Sequence, residues 1–267
     1  MYLLGPATYL GLNDNSYPFQ GGWLTVTRFT EMASLFCGPH AHVNPHITYL
    51  VAGGTQEIRG MAAHERKAGD LVFFHSDEIH QNSRTPIGSV NINLEFDYQF
   101  LSGLRTSEHD LESLCGAHGP LIKLTMLHFY NELKIDDPET ALAVESLTML
   151  FGSGDLEKLS LTKFPPWVHK VKEALHDNWA NSISLDELAQ FASVHPVTIS
   201  RYFPRFFGTN MGEYRRVLKI ERALPLLKSN RYSFAEISYL CGFADQSHFI
   251  RTMKRLTGFL PVAYQKM

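Results

Sequence analysis

Cysteine is scarce in this chain of 267 residues, with three in all. Cys37, Cys115 and Cys241 are far apart and odd in number, which argues against a disulfide framework or a cysteine zinc site and for reduced thiols in a cytoplasm. No apolar run approaches the ~18 residues of a membrane span. The opening MYLLGPATYLGLNDNSYPF has no basic segment leading into an apolar one, so no secretion signal is read there. Charge is sparse too, at 19% of residues, and the net is only -3. That small net hides an asymmetry. Residues 167–267 carry 14 Lys/Arg against 8 Asp/Glu, a net of +6, which leaves -9 for the rest. A basic block behind an acidic one is the footprint of a module that meets a polyanion, joined to one that does not. With 44% hydrophobic residues the chain has material for two globular domains of roughly 100–150 residues each.

The basic block repeats itself. SLDELAQFASVHPVTISRYFPRFFGTNMGEY (184–214) lies over SFAEISYLCGFADQSHFIRTMKRLTGFLPVAY (233–264). Each copy opens with a capping box, Ser184 with Glu187 and Ser233 with Glu236, in which Ser and Glu satisfy each other's orphan backbone donors. Leu185, Leu188, Ala189 and Ala192 match Phe234, Ile237, Ser238 and Cys241 at helical spacing, and a short turn leads to a second helix ended by Gly208 or Gly258. Helix, tight turn, helix is the pattern whose second helix enters a DNA major groove. Residues 211–230 read as a connecting helix, with Leu218, Arg222, Leu226 and Leu227 along it and a bend at Pro225. Pro204, inside the first reading helix, lacks an N–H and predicts a shortened helix there.

GFADQSHFIRTMKRLTGFLPVAY (242–264) resembles the signature of the AraC/XylS family of bacterial transcription regulators through Gly242, Phe243, Ser247, Phe249, Arg251, Lys254, Gly258, Pro261 and Tyr264. KIERALPLL resembles that family's connecting helix, with Lys219 in place of the more usual Arg. Met253 and Met211 depart from the pattern, standing where an aromatic and a proline are usual. On the faces opposite the apolar ones lie Val197, Ser200 and Arg201 with Thr198 beside them, and then Gln246, His248 and Arg251. Arg can read guanine, Gln adenine, and Val a thymine methyl. Arg205, Arg215, Lys254 and Arg255 are read as phosphate contacts, which position without specifying. Solvated charge or ion pairing within the domain is the alternative for each.

From about residue 20 to 100, WLTVTRF, HITYLVAGG, DLVFF and SVNINLEF alternate like short strands between turn residues, which suggests an all-β barrel or sandwich. HAHVNPHITYLVAG and GDLVFFHSDEIH have the spacing of the two cupin motifs, and the resemblance implies a β-barrel. His40 and His42 form the HxH pair, His46 stands where a Glu is usual, and His75 and Asp77 replace Pro and Gly. His80 is in register. These four imidazoles, His40, His42, His46 and His80, could surround a divalent transition ion, or hydrogen-bond an organic effector with no metal required. His64, His75 and His109 are read as exposed or satisfied. GPLIKLTMLHFYNELK and DPETALAVESLTMLF read as a helical hairpin joined at Ile135, Asp136 and Asp137, with Leu121, Leu124, Leu127 and Phe129 as an apolar face. The AraC/XylS resemblance makes that face a dimer contact; packing onto the protein's own barrel is the alternative. Residues 152–166 read as a hinge.

The reading is an α+β chain: a cupin-like sensor barrel (1–107), a hairpin and linker (108–166), and a double helix-turn-helix (167–267). It describes a cytoplasmic, homodimeric, ligand-responsive regulator without catalysis. Its partners would be double-stranded DNA, a small-molecule effector and RNA polymerase, with no membrane. The rival is a cupin metalloenzyme, a dioxygenase or isomerase, fused to a DNA-binding tail.

Overall fold

The computed structural model describes residues 2–30, 38–103, 106–135, 140, 144, 165–179 and 183–267. The second helix of the expected hairpin (137–151, apart from Thr140 and Val144), the hinge up to residue 164, and Cys37 lie outside them. No helix among the described residues is long and apolar enough to cross a membrane. The chain forms two compact units, one of Met1–Cys115 with Phe129–Ser153 and one of Gly116–His128 with Gly154–Met267.

Among the described residues the first unit holds ten strands: β1 (Tyr2–Leu4), β2 (Leu12–Phe19), β3 (Gly22–Arg28), β4 (His40–His42), β5 (His46–Ala52), β6 (Gly54–Arg59), β7 (Ala62–Lys67), β8 (Leu71–Phe74), β9 (His80–Ser83) and β10 (Val90–Phe96). They pair into two five-stranded sheets, β1-β4-β9-β6-β7 and β2-β3-β10-β5-β8. The expected barrel is therefore not closed. The structure is a jelly-roll sandwich of the cupin kind, and its ladders stop at edge strands such as β7. That strand, AAHERK, is exposed at five of six positions and is charged, a composition that discourages further pairing.

Period-2 alternation sets what faces inward. In β10, Asn91, Asn93 and Glu95 point to one side and Val90, Ile92, Leu94 and Phe96 to the other. Register carries the polar side across the sheet, because Asn93 pairs with Thr25 of β3 and with Thr48 of β5. Thr48 Oγ1 donates to Asn93 Oδ1 at 2.8 Å, and Asn93 Nδ2 donates to Thr27 Oγ1 at 3.1 Å. The opposite face, with Leu24, Ile47, Tyr49, Ile92 and Leu94, is completely buried. This sheet is thus apolar on its outer face and polar on its inner one. Gly53 turns the chain between β5 and β6 at φ +77°, where a Cβ would meet Ser89 Oγ at 2.0 Å. Asp77, in the place of a cupin glycine, adopts φ +56°, a left-handed conformation that Asp tolerates better than most residues.

Two helices follow, α1 (Tyr98–Gly103) and α2 (Glu108–Ile135). The hairpin helix was expected from Gly119; α2 starts eleven residues earlier and kinks at His118 (φ -114°, ψ 18°), just before Pro120. The Gly-Pro pair that looked like a helix start is a break inside a longer one. Leu124, Leu127 and Phe129, offered by the sequence as a face for a second copy, are buried within the single chain.

The second unit contains α3 (Pro166–Asp177), α4 (Leu185–Ala192), α5 (Pro196–Phe207), α6 (Met211–Ser229), α7 (Phe234–Leu240), α8 (Gln246–Thr257) and α9 (Pro261–Gln265). Both capping boxes form, at Ser184–Glu187 and Ser233–Glu236, and both reading helices end on left-handed glycines, Gly208 at φ 70° and Gly258 at φ 76°. Leu188, Ala189 and Ala192 are buried in one copy, Ile237, Ser238 and Cys241 at the matching positions of the other. Pro204 does not shorten α5, which has the same 12 residues as α8. Pro204 has no N–H to offer the carbonyl of Ser200, and Ser200 is an exposed residue, a position where solvent can supply the missing donor. Exposed Pro225 likewise lies within an unbroken α6. Within this unit Lys172 Nζ donates to the Gly116 carbonyl at 2.9 Å, and Lys123 pairs with Glu221 at 3.1 Å.

Candidate nucleic-acid interface and effector cavity

An amphipathic helix buries one stripe and leaves the opposite one for a partner. In α5 the buried stripe is Ile199, Phe203 and Phe207; in α8 it is Phe249, Thr252, Met253 and Thr257. Opposite them, Val197, Ser200, Arg201 and Arg205 are exposed on α5, and Gln246, Arg251, Lys254 and Arg255 on α8. Thr198 and His248 are half-buried, the latter with its ring edge-on to Phe243 at 5.4 Å. The N-terminus of α5 is capped by His195, whose Nδ1 accepts from the Val197 N–H at 3.2 Å. Asp245 caps α8 by accepting from His248 N–H at 2.6 Å.

The basic residues divide by what already holds them. Arg201, Arg205 and Arg251 have no carboxylate partner among the described residues. Lys254 Nζ donates to the Gly258 carbonyl at the end of its own helix. Arg255 grips Glu213 with both terminal nitrogens, at 2.5 and 3.2 Å. Arg215 is half-buried and donates to the Ile183 carbonyl, so it braces the domain where a phosphate contact was expected. Burial is also what lowers its pKa.

The four histidines of the sandwich come together. His40 and His42 lie on β4, His80 pairs opposite His40 on β9, and His46 opens β5. Ring centroids are 4.2 Å apart for His40–His80, 4.4 Å for His42–His46, 5.3 Å for His40–His42 and 5.5 Å for His42–His80. A nitrogen from each of His40, His42 and His80 lies within 4.8 Å of the others. His46 stands outside that tight set, stacked on Phe74 at 4.8 Å. His40 Nδ1 bonds the Gly38 carbonyl and His80 Nδ1 the Glu78 carbonyl, each at 3.0 Å. Those bonds fix Nδ1 as the protonated nitrogen and leave each Nε2 with a lone pair. Burial, then neighbouring imidazoles, push His42 down to about 3; burial and His40 push His80 down to about 4. Burial lowers His40 and, together with His42 and His80, carries His46 well below the ordinary histidine range.

The cavity between the sheets is lined by these imidazoles and by side chains the sequence reading passed over, among them Tyr9, Glu57, Arg66, Asn82, Asn91 and Asn93. Tyr9 Oη donates to Glu95 at 3.0 Å and its ring lies 5.0 Å from that of His42. Glu57, 1% exposed, holds Arg59 on one oxygen and Arg66 on the other. One signal was available: Asn at every second position of the apolar run VNINLEF marks a strand whose inner face is polar. The free interior, about 40 Å³, holds roughly three water-sized spheres. His64 is exposed, His75 bonds Glu108 at 3.0 Å, and His109 lies 3.6 Å from Glu112.

Comparison with known proteins adds to this geometry. Residues 188–267 match the family described as "Helix-turn-helix domain". The second unit carries a helix-turn-helix domain. The chain is 28% identical to the uncharacterised HTH-type transcriptional regulator YpdC of Escherichia coli across 96 residues, 36% of this chain and 34% of that one. It is 28% identical to the arabinose operon regulatory protein of the same organism, over 41% of this chain and 39% of that one. The HTH-type transcriptional activator RhaS of Shigella sonnei is 24% identical over 87% of this chain and 84% of its own length. The chain thus spans about a third of the length of the first of these relatives.

Proposed function

We propose that the chain is a ligand-responsive, sequence-specific DNA-binding transcription regulator. The observation that carries the reading is the duplicated helix-turn-helix unit, whose reading helices match in length, glycine stop and buried stripe while their outer faces carry Arg201, Arg205 and Arg251, which have no carboxylate partner among the described residues. The arrangement suits two adjacent major-groove segments. The homodimer and the contact with RNA polymerase rest on the family resemblance, as does a cytoplasmic setting. Selection from a random duplex pool with the full chain is expected to return one preferred sequence containing two read segments. Affinity for that duplex should fall with salt at about -0.9 in log K per phosphate contact. Recovery of no preferred sequence would overturn the reading.

The sandwich is read as the sensor, and its occupant as a divalent transition-metal ion on His40, His42 and His80. Three buried neutral imidazoles present lone pairs to one another, and for His40 and His80 the outer nitrogen is already held by a carbonyl. That is the second-shell arrangement of histidine metal ligands. The cavity has room for an ion with its waters or for a molecule of a few heavy atoms. Bound there, an ion would supply positive charge and Lewis acidity among groups that cannot themselves protonate. Titration of the metal-stripped chain with Co²⁺ or Zn²⁺ is expected to give one ion per chain, lost in His80→Ala and weakened but retained in His46→Ala. A stoichiometry unchanged by His80→Ala, or no uptake at all, would move the assignment to a small organic effector. The rival metalloenzyme reading draws on this same cluster, but RhaS, a relative aligned along most of the chain, is named as an activator.

A further inference from the structure

Among the described residues, Glu213 is the one carboxylate that joins the two helix-turn-helix copies through the last turn of a reading helix. It sits in the first turn of α6, three residues past the Asn210 cap and six past the end of α5. Its two oxygens take both terminal nitrogens of Arg255, which lies in the last turn of α8 and is 42 residues away in sequence. A second cation, Arg216, reaches the same carboxylate at 2.8 Å. Glu213 is only 17% exposed, against 53% for Arg255, so the acid is the fixed member of the pair. The two arginines hold its pKa down although partial burial works against them. Its own N–H is tied to the Asn210 side chain at 2.9 Å.

We infer that the Glu213–Arg255 fork is a positioning device that sets the separation and twist between the two reading helices, and so the spacing of the two DNA segments the chain accepts. The geometry supports this because a bidentate Arg–carboxylate pair fixes direction as well as distance, unlike the point contact of a lysine. The short link Gly208–Asn210 ties the end of α5 to the start of α6, and the fork ties the start of α6 to the end of α8. The C-terminal ends of both reading helices are thereby held to one point. On this view Arg255 is spent on alignment, and the phosphate-contact role expected for it passes to residues such as Arg205.

The inference rests on the DNA-binding reading, and the test separates the two. The selected duplex and versions with one base pair inserted or removed between its read segments are bound to the full chain and to Glu213→Gln, Arg255→Gln and the swapped pair Glu213→Arg with Arg255→Glu. Unsubstituted chain is expected to reject the altered spacings by tenfold or more. Both single variants should lose that rejection while binding the original duplex within a few-fold, and the swapped pair should regain part of it. If Arg255 were a phosphate contact, Arg255→Gln would weaken all three duplexes alike and Glu213→Gln would strengthen them; that pattern overturns the inference and leaves the DNA-binding reading intact. Absence of duplex binding by the unsubstituted chain overturns both. Thermal melting of each variant shows whether the fold is retained, and loss of spacing rejection in a folded variant is the readout that a merely structural ion pair would not move.

Discussion

Acidification from pH 7 to pH 5 is expected to strip stability from the sandwich through its histidines. An unfolded histidine titrates near 6.5, whereas burial and neighbouring imidazoles push folded His80 to about 4 and His42 to about 3. Above 6.5 both states are neutral and these residues contribute nothing to the pH dependence. As pH falls below 6.5 the unfolded chain takes up protons that the folded cavity refuses, so stability declines, and the decline continues down to the folded values. For His80 alone the loss by pH 5 is about 2 kcal/mol. The losses at His42 and His80 are not additive, because a charge on His80 is one of the things that depress His42. Urea unfolding in the presence of chelator, followed from pH 7 to 5, should show a steep fall in the unsubstituted chain. The fall should be shallower in His42→Asn/His80→Asn. Parallel curves for the two proteins would mean that the cluster is hydrated and titrates normally. His118, pushed to about 4 by burial and Lys172, gives the helical unit a smaller dependence of the same sign.

Replacing Arg251 with Ala should cost about 1–3 kcal/mol on the selected duplex, the worth of a bidentate base contact, which is roughly a 5- to 150-fold loss of affinity. Binding to random duplex should hardly change. Arg205→Ala should behave in the opposite way, weakening both duplexes by a similar factor and making the salt dependence shallower by about 0.9, because phosphates carry no sequence. The two residues are chosen because both are exposed and neither is paired to an acid among the described residues. Lys254 and Arg255 are less suitable, each being held by a group of its own domain. Equal losses from Arg251→Ala and Arg205→Ala on both DNAs would show that the base-reading face of α8 has been placed wrongly.

What the sequence disclosed was whatever depends on short separations. The capping boxes, the glycine stops and the buried stripes of both helix-turn-helix copies follow from spacings of three, four and seven residues, and all of them form. The histidine cluster was legible because alternation puts His40 and His42 on one side and motif register brings in His80. The cavity floor was not, since Asn91, Asn93 and Glu95 face inward only because β10 lies between β3 and β5, a pairing fixed by residues some 40 to 70 positions away. Two local rules misled. Pro204 was read as shortening a helix that runs on past it on an exposed face, and Gly119-Pro120 was read as a beginning when it follows a kink. The closed barrel came from resemblance, and the charged strand β7 ends the ladder short of it. The Glu213–Arg255 fork, joining positions 42 apart, has no local signature at all.

The division of the chain into units also governs the order in which it can assemble. The helix-turn-helix copies close over contacts between neighbouring helices, the kind that form quickly, whereas joining β10 to β3 brings together residues such as Val90 and Arg28 across 61 intervening positions, the kind that form slowly. Residues 116–128 of α2 group with the helical unit, and its last residues, from Phe129 to Ile135, return to the sandwich unit. On a ribosome, the unit that starts first must therefore wait for chain synthesised well after its last strand, and it reaches its full set of partners only once a stretch belonging to the other unit has already emerged.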